Sequence, residues 1–282
     1  MSDQTGSRTG SRAGSRVRSG PSNLPESVET TVPLVGNRTV VEATEISVTP
    51  PAESAAASIG AVFDVDRTLL PGTTAERLFL RYLWEKRELG LREALLTAGF
   101  AIRHLRPTPS RIVQSIRRHR PYLNGKDLAE MQRLGADCFA RDIRPRLAAR
   151  GIAAVADHRA RGHTTVMLSG SLWFLLQPMA EFLGINHVIA TRLAVKAATT
   201  PGRGPKLTTR LEGPHPYGRA KALLIERFAD DRKLDLAASY AYADHYTDAE
   251  MLALVGHPIC VNPDDRLRKE AAARGWPVEA FV

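Results

Sequence analysis

Ile59-Gly60-Ala61-Val62-Phe63-Asp64-Val65-Asp66-Arg67-Thr68 is the stretch whose reading decides the fold. Its first five residues are apolar without alternation, which predicts a short strand buried on both faces, as in a parallel sheet. The run ends in a carboxylate. Parallel sheets bind ligands beyond the carboxyl ends of their strands, and alternate residues of an extended segment face the same way. Asp64 and Asp66 are therefore expected to converge on one cleft. Two carboxylates side by side are unfavourable unless a cation or a division of labour accounts for them. The pattern Asp-x-Asp-x-Thr is short, and taken alone it fits an ordinary polar strand end equally well.

Working outward, three further runs have the same character: Thr164–Ser169, Ser239–Asp244 and Pro258–Val261. Helical patterns lie between and after them, at Ile152–Arg161, Leu172–Leu183, Gly218–Ala229, Asp248–Val255 and Asp265–Arg274. Strands alternating with helices predict an α/β fold, a Rossmann-like parallel sheet. His187–Val195 and Leu207–Leu211 flank a Gly/Pro-rich turn and read as an appended β-hairpin. Residues 76–150 break the rhythm. They contain the helix-length stretches Glu76–Glu88, Leu91–His104, Ser110–Arg120, Lys126–Ala140 and Arg144–Arg150, punctuated by Pro107, Pro109, Pro121 and Gly125. This predicts a helical insertion after the first strand.

The chain of 282 residues carries 39 Lys or Arg and 30 Asp or Glu, a net charge of +9. The insertion, with 17 basic and 8 acidic residues, accounts for +9 by itself. Its densest part is Arg103, His104, Arg106, Arg111, Arg117, Arg118, His119 and Arg120, which reads most simply as a solvated helical surface. Residues 1–57 are rich in Ser, Thr, Gly, Pro and Ala, with Gly-Ser-Arg at 6–8, 10–12 and 14–16, and are expected to form a disordered tail. Cys138 and Cys260 are too few for a disulfide framework or a Cys-rich zinc site. Met1–Gly20 has no apolar core of a secretory signal. The longest uncharged stretch, Thr164–Ala180, is broken by Ser169, Gly170, Ser171, Gln177 and Pro178, which argues against a membrane span. A soluble, cytoplasmic protein is expected.

Three features change the reading of Asp64 and Asp66. Ser169 ends the second apolar strand, where its hydroxyl can donate to a phosphoryl oxygen, and Gly170 lets backbone amides approach. Lys221 follows Gly218-Arg219-Ala220 near a helix start; alone it would read as a solvated lysine. Asp244 and Asp248 stand four residues apart, at a strand end and the next helix start, the kind of loop that hard divalent cations favour. Asp248 alone would suit a helix N-terminus. His245, between them, reads as a substrate contact or a solvated loop residue. Trp173, Phe174 and Trp276 read as core.

In order along the chain, these features resemble the haloacid dehalogenase (HAD) superfamily of phosphohydrolases, in the phosphoserine phosphatase-like branch, subfamily IB. The resemblance covers about residues 58–280, and Val255–Asp264 with Arg274-Gly275-Trp276-Pro277 is also similar to bacterial members. It implies the HAD fold, with 58–75 and 151–282 as catalytic core and 76–150 as a small cap. It implies Asp64 as the nucleophile that forms an aspartyl-phosphate, and Asp66 as the acid for the leaving oxygen and then the base for water. It implies Thr68, Ser169, Gly170 and Lys221 around the phosphoryl group. It also implies Mg2+ held by Asp64, the Asp66 carbonyl, Asp244 and Asp248.

Two positions depart from that branch. Thr73 stands where phosphoserine phosphatases carry a Glu that meets the substrate ammonium, the nearest carboxylate being Glu76, and Ser169-Gly170-Ser171 replaces Ser-Gly-Gly. Both argue against a simple phosphoserine assignment. The expected function is a magnesium-dependent phosphatase of a small, anionic phosphomonoester. The alternatives are a phosphatase of a lysophospholipid or phospholipid-type substrate at a membrane surface and, less favoured, a non-catalytic basic binding module. No nucleic-acid partner is expected, and the basic cap suits peripheral membrane contact. The sequence carries no signal for oligomeric state.

Overall fold

The computed structural model describes residues 58–103, 119–198 and 204–282. The expected tail and the expected helix at Ser110–Arg120, apart from its last two residues, lie outside the described residues.

The deciding stretch forms β1 (Gly60–Phe63), and all four of its residues are buried. Among the described residues three α-helices follow: α1 (Ala75–Glu85), α2 (Leu91–Arg103) and α3 (Leu128–Cys138). The chain then alternates: α4 (Ala149–Ala160), β2 (Thr164–Leu172), α5 (Trp173–Leu183), β3 (His187–Lys196), β4 (Lys206–Glu212), α6 (Arg219–Arg232) and β5 (Tyr240–Ala243). It ends with the short α7 (Ala249–Leu252), β6 (His257–Val261), α8 (Asp265–Arg274) and β7 (Val278–Glu279). Among the described residues, no helix is long and apolar enough to cross a membrane.

The strands form one seven-stranded sheet in the order β4-β3-β2-β1-β5-β6-β7. All neighbours are parallel except β3 and β4, which are antiparallel. The expected hairpin is present, but it is no appendage. The first half of β3 pairs with β2, at Val166↔His187 through Ser169↔Ala190, and its second half pairs with β4. One long strand thus belongs to both ladders.

Period-two alternation sorts the strands between two apolar clusters, one on each face. Ala61 and Phe63 of β1, Met167 of β2, Tyr242 of β5 and Ile259 and Val261 of β6 join the cluster that includes α1, α3 and α5. Val62, Val166, Leu168, Ala241, Ala243 and Cys260 join the other, with α6, α7 and α8. Burial on both faces is why these strands read as continuous apolar runs.

β1 is central, with β2 on one side and β5 on the other. Chain connections leave this centre in opposite directions, which opens a crevice beyond the strand ends. The register sets what meets there. Phe63 pairs with both Met167 and Tyr242, so Asp64, Ser169 and Asp244 emerge within a residue or two of one another.

Two local expectations fail. Ser169 does not end β2: the strand continues to Leu172, with a register shift between Ser169 and Leu172 that bulges Gly170 and Ser171 out of the ladder. Arg144–Arg150 is not one helix. Arg144–Arg146 is a 3-10 turn with Pro145 in its first positions, Leu147 and Ala148 are extended, and α4 starts at Ala149.

Candidate active site

At the carboxyl ends of β1, β2 and β5 lies a cleft with a volume of about 610 Å³. Asp64, Asp66, Ser169, Gly170, Lys221, Asp244 and Asp248 all line it. Seven of the eight residues that the sequence singled out therefore share one cavity, though they come from four separate segments.

The eighth, Thr68, is placed differently. Its side chain is fully buried and does not line the cleft. Its hydroxyl donates to Asp64 Oδ2 at 2.9 Å. Lys221 Nζ takes the other oxygen, Asp64 Oδ1, at 2.5 Å. The Asp64 carboxylate is thus fixed from both sides. Lys221 reaches inward because Gly218, at φ 56 and ψ −135, turns the chain into α6, whose third residue it is. The same ammonium donates to Asp248 Oδ2 at 2.8 Å.

Asp66 is held by α1 and by the bulge. Oδ1 accepts the N–H of Ala75, the first residue of α1, at 2.8 Å. That N–H belongs to a helix N-terminus, which favours an anion. Oδ2 accepts from Ser171 at 2.8 Å and more distantly from Ser169 at 3.4 Å. Ser171 is the residue that departs from Ser-Gly-Gly. Its function was not read from the sequence, and the bulge is what turns it toward Asp66.

Asp64, Asp244 and Asp248 are buried, and one carboxylate oxygen from each lies within 4.8 Å of the others. Burial, reinforced by Asp248 and Asp66 and opposed by Lys221, pushes Asp64 up to about 6. Burial first and Asp64 next push Asp244 up to about 7, against the pull of Arg67. Burial works against the charge of Lys221, but Asp248 and Asp64 outweigh it and raise its pKa. Three buried carboxylates thus face one buried ammonium. An all-oxygen, anionic donor set of this kind suits a hard divalent cation such as Mg2+.

Arg67 follows Asp66 at the strand end. It lines the cleft at φ 67, and its Nε lies 3.1 Å from Asp244 Oδ2. His245 also lines the cleft. Its Nδ1 pairs with the Thr247 hydroxyl at 2.9 Å, and its Nε2 lies 3.3 Å from Asp264 Oδ2.

Arg120 overturns its expectation outright. It was grouped with the solvated basic run, yet it is only 1% exposed. Its guanidinium grips Glu76 with two bonds, at 3.1 and 2.9 Å, and donates to the Gly170 carbonyl at 2.7 Å. Tyr122 donates to the same Glu76 at 2.7 Å. Burial of so large a cation is favourable only because these acceptors meet its donors. The trio ties the start of α1 to the bulge of β2. Trp173 and Trp276 are half-buried and Phe174 is buried, each packed into one of the two clusters as expected.

Comparison with known proteins gives the family and fold likenesses of the chain. The family model described as haloacid dehalogenase-like hydrolase matches residues 61–253. An inhibition of morphological differentiation protein of Streptomyces azureus is 31% identical over 225 residues, 78% of this chain and 78% of the relative. A phosphoserine phosphatase of Mycobacterium tuberculosis is 30% identical over 235 residues, 82% of this chain and 73% of the relative. Among solved structures, a Bordetella pertussis Tohama I protein of unknown function superposes with a TM-score of 0.65 at 25% identity, over 80% of this chain and all of that one.

Proposed function

The chain belongs to the haloacid dehalogenase-like hydrolase family and is a phosphoric monoester hydrolase, and from that premise we propose that it hydrolyses a small phosphomonoester in two steps through Asp64. One observation carries the reading: the Asp64 carboxylate, which lines the cleft, is clamped between Lys221 and Thr68, with Asp66 lining the same cleft.

In the first step an Asp64 oxygen attacks phosphorus, the P–O bond to the leaving group breaks, and Asp66 gives that oxygen its proton. In the second step Asp66, now a carboxylate, takes a proton from water. The water attacks phosphorus, the acyl-phosphate P–O bond breaks, and Asp64 is regenerated with release of phosphate. Lys221 neutralises charge on Asp64 and on the phosphoryl oxygens. Ser169 and the Gly170 backbone bind the phosphoryl group. Thr68 is a positioning residue that acts through Asp64. Positioning and charge neutralisation are what phosphoryl transfer chiefly requires.

The donor set fits Mg2+, with Asp64, Asp244, Asp248 and the Asp66 carbonyl to hold it. When bound, the cation would supply further positive charge to the phosphoryl oxygens. Residues 76–150 are read as the cap that selects the leaving group, between core segments 58–75 and 151–282. The contribution of α1 to the cleft, through Glu76, Arg77 and Leu80, supports this. Glu76 is already satisfied by Arg120 and Tyr122, and position 73 is Thr. Among the described residues the leaving-group end therefore holds no ready receptor for an ammonium, which favours substrates other than phosphoserine.

The test is a panel of phosphomonoesters assayed with Mg2+ and with chelator. Metal-dependent phosphate release from at least one member is expected. Asp64→Asn should reduce turnover at least about a thousandfold. Turnover by Asp64→Asn at the wild-type rate would overturn the assignment of Asp64 as nucleophile, and phosphate release from no member of the panel would revive the non-catalytic reading.

A further inference from the structure

The insertion presents an apolar face that nothing in the catalytic reading uses. Leu91, Leu95 and Ile102 of α2 are 77%, 62% and 64% exposed. On a 3.6-residue repeat they fall along one line, and Ala98, also exposed, falls on it with them. The stripe runs the length of this 13-residue helix. The opposite face carries the polar contacts. Glu93 is buried, accepts the Gly90 N–H at 2.9 Å, and lies 3.6 Å from Lys126 Nζ. The helix thus turns an apolar stripe outward while the Glu93 carboxylate is buried, and Arg92 of the same helix is exposed. Just before it, in the last turn of α1, Trp84 is 72% exposed, and Lys86 and Arg87 in the link 86–90 are exposed as well.

Leucine, isoleucine and tryptophan exposed together with lysine and arginine are the composition of an interfacial helix. The net charge of the insertion chooses between occupants. A second copy docked through the same face would bring two +9 segments together, whereas an anionic bilayer complements them. We infer that α2 lies in the plane of an anionic lipid surface, with Leu91, Leu95 and Ile102 among the acyl chains and Lys86 and Arg87 at the headgroups. α1 links this face to the site: Leu80 lines the cleft, and Trp84 stands one turn further on.

The inference stands apart from the catalytic assignment, and its test uses the full chain. The protein is floated with vesicles of phosphatidylcholine alone and of phosphatidylcholine mixed with phosphatidylglycerol, at physiological salt. Binding to the anionic vesicles only is expected, equally for wild type and Asp64→Asn. A blue shift of tryptophan emission on vesicle addition should be lost in Trp84→Phe. The double variant Leu95→Ser, Ile102→Ser leaves net charge untouched. It should lose binding at least about tenfold while its melting temperature and its hydrolysis of para-nitrophenyl phosphate stay at wild-type values. Absence of flotation, or undiminished flotation of the double variant, overturns the proposal. So does a dimer in light scattering that the double variant dissolves, since the occupant would then be a second copy.

Discussion

At the scale of single residues, much of the candidate site was legible because Asp64, Asp66 and Asp244 stand at or just beyond the ends of apolar strands. Asp64, Asp66 and Asp244 follow apolar runs and Ser169 lies within one, and the pairing of these strands brings them together. Residues acting through these ones were not legible. Ser171 was read only as a departure that argues against phosphoserine, because only the bulge turns its hydroxyl to Asp66. Arg120 was hidden by its neighbours: Arg117, Arg118, His119 and Arg120 read as one solvated run, and Glu76 lies 44 positions away. Ser171 yields a prediction. If its hydroxyl positions Asp66 as the proton donor, Ser171→Ala should lower kcat about tenfold to a hundredfold with alkyl phosphates. The loss should be much smaller with para-nitrophenyl phosphate, whose leaving group needs no proton. A steady-state comparison of the two substrates checks this, and equal losses would indicate a structural role instead.

At the scale of elements, strands and helices were read where one physical cause dominated. α8 was legible to the residue because Asp264 caps its start, accepting the Leu267 N–H at 2.7 Å, and Gly275 at φ 68 ends it. The stretch at 144–150 was misread because its composition favours a helix, while Pro145 suits only a first turn. Packing against elements distant in sequence left no sequence signal at all. His158 of α4 is one case. It is 2% exposed, shares a hydrogen bond with Tyr242 of β5 at 2.9 Å, and packs edge-on to Phe63 of β1. Gly256, before β6, is another. A Cβ there would stand 1.7 Å from the Ala237 carbonyl oxygen, which is backbone and cannot swing away. Gly256 N–H also bonds to Leu236 O at 3.0 Å, so the two loops approach closely. Gly256→Ala should therefore destabilise the protein by about 3 kcal/mol, measured by urea unfolding. Gly162→Ala makes the contrast, because there the cost is only that of φ 74 with open space around it.

At the scale of the whole molecule, charge is divided by function. The excess positive charge belongs to residues 76–150, while the centre of the sheet concentrates three buried carboxylates against Lys221. That concentration makes metal, proton and folding equilibria one linked system. In the metal-free protein Asp64 and Asp244 titrate near 6 and 7, above the ordinary carboxylate value of 3.8. Between those limits the folded state binds more protons than the unfolded state. Its stability therefore falls as pH rises through 6 to 7, the two groups being forced to ionise where they are buried. A divalent cation held by this cluster would bind only its ionised form and only the folded chain. Mg2+ at a hundredfold over its Kd should add about 2.7 kcal/mol and raise Tm by roughly 5–10 °C. At one fixed Mg2+ concentration, that gain should be full above pH 8 and shrink as pH falls below 6, where protons hold the cluster. Thermal melts with and without Mg2+ across this range check the linkage. A gain that is independent of pH would place the cation on exposed carboxylates, away from Asp64, Asp244 and Asp248.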